Sequence, residues 1–234
     1  MSLGCRIKRN FERPSKELIE AFRGIPVANI DDNMGRIAAV DSSIYPLNPN
    51  ARLLGTAFTV NAPAGDNLLF HASLDMAQPG DVIVLANKGS MSRSMCGEIM
   101  SNYAKKRGLA GIIIDGCVRD SYALRELDFP VYAKGVTPNG PYKNGPGEMN
   151  FPVSFAGIII NPGDIIVGDP DGVVVIRPEM AEEVLEAVAG KFASEQKTLE
   201  NYANGIMPNR EKHAAEYKKT VTDNGGLFFD GTWK

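Results

Sequence analysis

The chain contains few of the residues that form the commonest nucleophilic and metal centres, with two histidines, three cysteines and one tryptophan. Cys5, Cys96 and Cys117 are odd in number and lack the paired spacing of a metal site, which favours a reduced, cytoplasmic compartment over a disulfide framework. A catalytic thiol needs a neighbouring base, and the histidines are only His71 and His213. We therefore interpret the cysteines as small buried residues rather than as nucleophiles.

Long apolar runs and blocks of one charge are also missing. No run approaches the roughly 20 residues of a membrane span, and the first six residues have no apolar signal core, which predicts no secretory segment. The net charge is −3 without a basic block, so we expect no nucleic-acid partner. Hydrophobic content of 44% and charged content of 23% are typical of a soluble globular protein.

One stretch, residues 97–120, organises the rest of the chain. Its pattern predicts a helix that ends in basic residues, a C-capping Gly108 and a buried strand at Ile112–Ile114. Asp115, Arg119 and Asp120 are then expected to lie together just past the strand, at the sheet edge where α/β proteins bind ligands. Such a trio can hold a divalent metal and an oxyanion, or it can be a surface salt-bridge cluster.

A β-α-β unit is predicted before this stretch. Residues 55–62 read as a strand, 68–76 as a helix and 82–86 as a second buried strand. The turn Gly65-Asp66-Asn67 places polar groups beside a helix N-terminus, which is a natural anion seat, although the signal is weak alone. His71 follows one helical turn later, and we interpret it as structural rather than catalytic.

The remaining patterns predict a series of shorter elements. They are a helix at 15–22, an extended segment at 25–28, a short helix at 29–36 with Asp31 and Asp32 as caps rather than ligands, loops at 41–50, 87–95 and 137–151, a helix from 121 to about 127, strands at 129–134 and 154–160, a hairpin at 165–176, and a helix at 178–203. The tail from 207 to 234 is polar and then apolar at Leu227, Phe228, Phe229 and Trp233, which we expect to dock on this chain or on a neighbouring subunit.

Several ordered motifs together resemble one family. They are Gly65-Asp66-Asn67, Pro79-Gly80-Asp81, residues 107–111, Asp115-Gly116-Cys117-Val118-Arg119-Asp120, Phe129-Pro130-Val131 and residues 168–175. This set is similar to the RraA-like / 4-hydroxy-4-methyl-2-oxoglutarate aldolase family over residues 25–200. The resemblance implies an α/β fold with a swivelling-domain-like β/β/α core, assembled as a homotrimer or homohexamer. The β-α-β units and the apolar tail predict a catalytic domain at 25–178, an N-terminal helical segment at 1–24, and a long C-terminal helix and tail at 179–234 that are used in assembly.

The family resemblance also implies the chemistry. Its enzymes are divalent-metal-dependent lyases that cleave 4-hydroxy-2-oxo acids to pyruvate and often decarboxylate oxaloacetate, whereas another branch regulates ribonuclease E by binding. The enzymes of the family share a sequence pattern, which is an acidic residue, then Arg-Asp, then a second acidic residue. Glu98, Arg119 and Asp120 match that pattern here, and Ala123 departs from it at the last acid. Glu98 in place of the regulators' glycine favours the enzyme.

The resemblance assigns each residue a role. Asp120 would be the ligand of Mg²⁺ or Mn²⁺, and Arg119 would share the charge of an enolate as the C–C bond breaks. Glu98 would orient a metal-bound water or Arg119, and the backbone N–H groups of Gly97, Glu98, Ile99 and Met100 would seat the carboxylate of a small 2-oxo acid. Glu195 is a candidate carboxylate from a neighbouring subunit, with a solvated helix face as the alternative.

Overall fold

The computed structural model describes residues 4–207 and 210–229, and the chain divides into two compact units, Met1–Phe192 and Ala193–Lys234. The strands are β1 (Cys5–Ile7), β2 (Tyr45–Pro46), β3 (Leu53–Asn61), β4 (Asp81–Cys96), β5 (Gly111–Val118), β6 (Val131–Val136), β7 (Gly147–Met149), β8 (Val153–Phe155), β9 (Ile158–Ile160), β10 (Ile165–Asp169) and β11 (Gly172–Ile176). The helices are α1 (Lys16–Glu20), α2 (Val27–Asn33), α3 (Leu68–Met76), α4 (Glu98–Lys106), α5 (Ser121–Glu126), α6 (Ala181–Ala203) and α7 (Glu211–Asp223).

The central sheet has the order β1-β7-β3-β4-β5-β6-β2, and β10 pairs with β3 while β11 pairs with β10. Strands β3, β4, β5 and β6 are parallel neighbours, and Phe58 of β3 lies opposite Ile83 of β4. The predicted β-α-β unit is therefore confirmed, with α3 as its crossover helix. The predicted hairpin at 165–176 is confirmed by the antiparallel pair β10–β11.

The sheet is covered by helices on one face and by strands on the other. Leu74 of α3, Ala104 of α4 and Leu124 of α5 pack with Ile83 and Ile112 in one apolar cluster. The alternate residues of the same strands, such as Val84 and Ile113, pack instead against the hairpin β8–β9 and one side of β10–β11. This layering is a β/β/α arrangement, because each strand presents successive side chains to opposite faces.

A third apolar cluster lies where α1, α2 and the first half of α6 cover the other side of β10–β11. Phe22, Ile30 and Val184 pack there with Ile165 and Ile176. The predicted α/β class, N-terminal helical segment and long C-terminal helix are thus confirmed. Ser15 caps α1, since its Oγ accepts a hydrogen bond from the Leu18 N–H at 3.1 Å, as predicted.

Two central strands run further than their sequence patterns indicate. Strand β4 continues through the predicted loop at 87–95, with shifts of register against β5 where Lys88 and Gly89 both have positive φ. Strand β5 does not end at Ile114 but at Val118, and every residue in it is buried. The prediction that Asp115 lies past the strand end is therefore wrong, because pairing with two neighbouring strands carries polar residues through the sheet.

Other local predictions are also corrected. The short helix predicted at 29–36 is present, but it spans Val27–Asn33, so it begins inside the segment predicted to be extended, and Pro26 stands at its N-cap. Asp31 does not cap that helix, since its Oδ1 accepts the N–H groups of Ala38 and Ala39 beyond it. The predicted single strand at 154–160 is the hairpin β8–β9, which turns at Ala156 and Gly157, where φ is positive at both residues.

The second unit, taken by itself, contains the end of α6 and helix α7. The helix predicted to run to 203 is confirmed, but the sequence predicts no helix in the tail, where Lys219 and Asp223 form an i,i+4 ion pair along α7. Leu227, Phe228 and Phe229 are exposed, and Trp233 lies outside the described residues, so docking of the tail stays a prediction. Among the described residues, no helix combines the length and apolarity needed to cross a membrane.

Candidate active site

A cavity of about 370 Å³ lies where β4 and β5 end, between the start of α4 and the loop at residues 137–146. It is lined by residues from four stretches of the chain: Asn67, His71, Ser94, Met95, Cys96, Gly97, Ile99, Met100, Arg119, Asp120, Pro141 and Lys143. The sheet edge predicted to bind ligands is therefore concave here, as in other α/β proteins.

Asp120 is held in a left-handed conformation directly before α5, with φ 55° and ψ 38°. Asp tolerates this region better than most residues, although the conformation still costs conformational energy. Its Oδ2 accepts a hydrogen bond from the Glu98 N–H at 3.0 Å. The carboxylate thus caps α4 from a distant part of the chain, where the helix dipole favours a negative charge.

Arg119 is fixed through its backbone rather than through its side chain. Its N–H donates to the Cys96 carbonyl at 2.9 Å, which ties the end of β5 to the end of β4. Its Nε lies 3.7 Å from Asp120 Oδ2, beyond hydrogen-bond distance, and 48% of the side chain is exposed. The fork of the guanidinium is therefore available to an anion in the cavity.

Gly97 makes room for both charged residues. Its φ of −155° suits any residue, so the requirement is spatial. A Cβ built on Gly97 would lie 2.3 Å from Asp120 Oδ2 and 3.0 Å from Arg119 Cγ. Only a residue without a side chain lets Asp120 reach the start of α4.

The backbone N–H groups predicted to bind the substrate carboxylate are not all available to a ligand. The Glu98 N–H already donates to Asp120, so it does not serve a ligand in this arrangement. Gly97, Ile99 and Met100 line the cavity, whereas Glu98 is exposed and does not line it. The role assigned to the Glu98 side chain stays a prediction.

Three further side chains reach the cavity. The sequence gives Asn67 only a weak signal as part of an anion seat, predicts His71 to be structural, and does not single out Lys143. Asn67 is buried, donates through Nδ2 to the Met95 carbonyl at 2.9 Å, and leaves its Oδ1 without a hydrogen bond among the described residues. His71 and Lys143 line the same space, and burial lowers the pKa of His71, with the charge of Lys143 acting in the same direction. A polar turn before α3 and the length of the loop at 137–151 were the available signals.

The loop that carries Lys143 is clamped on both sides. Arg93 stacks on the Tyr142 ring at 3.8 Å and donates to the Gly140 carbonyl at 2.6 Å. Asp66 Oδ2 accepts the N–H groups of Asn144 and Gly145 at 2.6 and 3.0 Å. Asp66 therefore holds the loop instead of facing a ligand, and the loop is ordered over the cavity.

Some candidate residues lie elsewhere. Asp115 points to the opposite face of the sheet, where its Oδ2 accepts the Gly89 N–H at 2.8 Å, so the predicted trio is not brought together. Glu195 belongs to the second unit, and its role stays a prediction. Cys96 lines the cavity, but burial raises its pKa to about 11, so the thiol stays protonated at neutral pH, as expected of a small buried residue.

The donor set suits a metal that keeps most of its own ligands. No group of three His, Cys, Asp or Glu side chains among the described residues is arranged to enclose an ion. Asp120 is 42% exposed, and its second carboxylate oxygen is a hard donor beside the cavity. Mg²⁺ and Mn²⁺ are commonly held by one or two carboxylates together with water and substrate oxygens, and this arrangement fits that mode.

Comparison with known proteins identifies related chains. A family model described as "RraA-like: Aldolase/RraA" matches residues 27–175. A protein of Halalkalibacterium halodurans named "Putative 4-hydroxy-4-methyl-2-oxoglutarate aldolase" is 38% identical over 194 residues, which cover 83% of this chain and 92% of that protein.

Solved structures with the same fold include two proteins described as RNA-processing or ribonuclease inhibitors. The RNA-processing inhibitor RraA of Thermus thermophilis has a TM-score of 0.60 and 26% identity, covering 64% of this chain and 92% of that one. RraAS2 of Streptomyces coelicolor, described as an unusual member of the RNase ES inhibitor RraA family, has a TM-score of 0.69 and 27% identity, covering 83% and 100%.

Proposed function

The chain belongs to the RraA-like family, and from this premise we propose that it is a divalent-metal-dependent lyase that releases pyruvate from a small 2-oxo acid. The observation that carries the proposal is the Arg119–Asp120 pair at the cavity, with Gly97 leaving the space that both residues need. The aldolase name of the Halalkalibacterium halodurans relative supports the same reaction class.

The proposed substrates are 4-hydroxy-2-oxo acids and oxaloacetate. In the first, the C3–C4 bond breaks, the C4 hydroxyl loses its proton and becomes a carbonyl, and the bonding electron pair forms the enolate of pyruvate. In the second, the bond to the C4 carboxylate breaks, carbon dioxide leaves, and the same enolate forms. A proton added at C3 then gives pyruvate in both cases.

Arg119, Asp120 and Lys143 have different roles in the proposed cleavage. The half-exposed fork of Arg119 faces the charge that develops on the enolate oxygen, where a preorganised donor is most effective. Asp120 would hold Mg²⁺ or Mn²⁺ through the oxygen that does not cap α4, and the ion would supply positive charge beside the same oxygen. Lys143, with the uncommitted N–H groups at the start of α4, offers positive charge to the substrate carboxylates.

Neutral His71 and the amide of Asn67 complete the wall on the α3 side. Burial lowers the pKa of His71, so its ring adds no positive charge at neutral pH and acts as a hydrogen-bonding group. Asn67 fixes this part of the wall, because its Nδ2 donates to the Met95 carbonyl at 2.9 Å.

The alternative is a non-catalytic protein that binds ribonuclease E or another protein. The observation that favours it is the likeness to the two inhibitors, with TM-scores of 0.60 and 0.69. Self-association is proposed for both functions, as a homotrimer or homohexamer, since Ile99 and Tyr122 are exposed beside the cavity at 81% and 82%. A cytoplasmic location is likewise proposed, because the three cysteines are odd in number and lack the spacing of a disulfide framework.

The test measures pyruvate release from oxaloacetate and from 4-hydroxy-4-methyl-2-oxoglutarate, with Mg²⁺, with Mn²⁺ and with EDTA. We expect turnover that EDTA abolishes and added metal restores. Arg119→Met should lose that turnover, and Lys106→Met, a change at the far end of α4, should keep it. Absence of metal-dependent turnover on both acids, together with saturable binding to ribonuclease E, would transfer the proposal to the alternative.

A further inference from the structure

A second cavity, of about 410 Å³, lies on the opposite face of the sheet at the same carboxyl ends of the central strands. Four residues that line it, Asn61, Ala86, Asp115 and Lys134, come from β3, β4, β5 and β6 in order. Side chains alternate between the two faces of a strand, so these four residues lie on the same face as the apolar residues that precede them in each strand. The apolar layer therefore ends in a polar, partly open chamber.

Asp115 and Lys134 are neighbours there because Ile114 pairs with Ala133 in the parallel register. Asp115 Oδ2 accepts the Gly89 N–H at 2.8 Å. Its Oδ1 is buried without a hydrogen bond among the described residues, and the nearest cation, Lys134 Nζ, is 3.7 Å away. Asp115 therefore balances the charge of the Lys134 ammonium without accepting a hydrogen bond from it, and the N–H groups of Lys134 can donate to a ligand.

Lys88 supplies a second ammonium to the same cavity. It and Gly89 both have positive φ, at 56° and 64°, in the middle of β4, where the register against β5 shifts. Lys88 is exposed, and its side chain makes no ion pair or hydrogen bond with the described residues. A Cβ on Gly89 would lie 3.2 Å from Lys134 Nζ, so the glycine keeps that ammonium unobstructed.

The charge and the shape of the cavity define what fits it. Two ammonium groups and one carboxylate give the lining one net positive charge. Asp41 lies outside the lining and also attracts Lys134, but it is exposed, so solvent screens its charge. Pro152, Val153 and Ala156 form an apolar wall on the hairpin side. A dianion would leave a negative charge beside buried Asp115, which is costly, whereas a monoanion is balanced.

We propose that this cavity binds a small monocarboxylate with a short apolar body, its carboxylate held by Lys88 and Lys134 and its body against the Val153 wall. The site lies across the sheet from Arg119 and Asp120, and it does not rest on the proposed lyase activity. Strand β4 lines both cavities, through Lys88 and Gly89 on one side and through residues 94–96 on the other.

The probe is sodium propionate, and the readout is the rate at which each lysine is acylated by an N-hydroxysuccinimide ester, followed by mass spectrometry. Compared with chloride at equal ionic strength, propionate should slow the acylation of Lys88 and Lys134 by about threefold or more. A threefold slowing corresponds to propionate occupying about two-thirds of the sites. Lys106 and Lys218, on α4 and α7, should be unaffected. Equal rates in both salts, or equal slowing at all four lysines, would overturn the proposal.

Two variants at one exposed position locate the effect. Ser154 lines the cavity and is exposed, so neither Ser154→Glu nor Ser154→Ala should disturb folding. Ser154→Glu should abolish the difference between propionate and chloride by repulsion, and Ser154→Ala should keep it. Protection that survives in Ser154→Glu, or protection by sulfate equal to that by propionate, would contradict a monocarboxylate site here.

Discussion

The two cavities use charged residues in contrasting ways on opposite faces of one sheet edge. Arg119 and Asp120 lie beyond the end of β5, are about half exposed, and are positioned by backbone geometry and a helix N-terminus. Asp115 and Lys134 lie within strands, and the pleat fixes their direction. We infer that changes at the first cavity alter chemistry more than stability, because little core depends on them, and that changes at the second do the reverse.

The largest difference is expected between two aspartates. Asp120→Asn should lower pyruvate release from oxaloacetate by on the order of a thousandfold and weaken Mn²⁺ binding, because the metal loses its carboxylate. Asn still accepts the Glu98 N–H and tolerates the left-handed backbone, so the melting temperature should hold. Asp115→Asn should instead lower the melting temperature by a few degrees and keep turnover. Equal losses of turnover in the two variants would contradict the comparison.

Arg119→Lys tests the fork of the guanidinium. A lysine supplies one point charge where a planar pair of donors faces the developing enolate, so kcat should fall by about a hundredfold. Mn²⁺ affinity should be retained because Asp120 is unchanged, and the melting temperature should hold because 48% of the side chain is exposed. Steady-state kinetics measure kcat, a Mn²⁺ titration measures the affinity, and thermal unfolding measures the melting temperature. Unchanged turnover with altered stability would mean that the pair is a salt-bridge cluster.

Two glycine variants sharpen the contrast at a smaller scale. Gly97→Ala places a Cβ 2.3 Å from Asp120 Oδ2, so the carboxylate must move and turnover should fall by roughly tenfold or more. Gly89→Ala has φ +64° and a Cβ 3.2 Å from Lys134 Nζ, so it should lower the melting temperature and spare turnover. Pyruvate assays beside thermal unfolding decide this, and a loss of rate at Gly89→Ala alone would invert the expected order.

The smallest effect concerns His71. Because burial lowers its pKa in the folded chain, the unfolded chain binds a proton first as the pH falls. The stability that neutral His71 contributes is therefore complete above its unfolded pKa of 6.5 and declines as the pH drops through 6.5 towards the lower folded value. Urea unfolding from about pH 7.5 to about pH 5.5 should show a smaller decline in His71→Gln than in the parent chain. Identical declines would contradict a lowered pKa.

The elements that the sequence predicts correctly are those marked by local turn residues or by hydrophobic periodicity. Gly108, with φ +77°, follows α4 as predicted, and Ile112–Ile114 are buried in β5. The end of β5 could not be read, because Asp115 breaks an apolar run without ending a strand that is paired on both sides. Lys88 and Gly89 likewise resemble a loop, although the chain returns to the sheet after them.

The sequence by itself determined the α/β class, the adjacency of Arg119 and Asp120 on one turn, and the resemblance that identifies the family, because these depend on neighbouring residues and on periodicity. Only the tertiary structure decided which face of the sheet Asp115 occupies, that Asp120 caps α4, and that Asn67 and Lys143 meet at one cavity. Those contacts join residues far apart in the chain. Strand pairing and the clamped loop bring them together, and no local pattern specifies that approach.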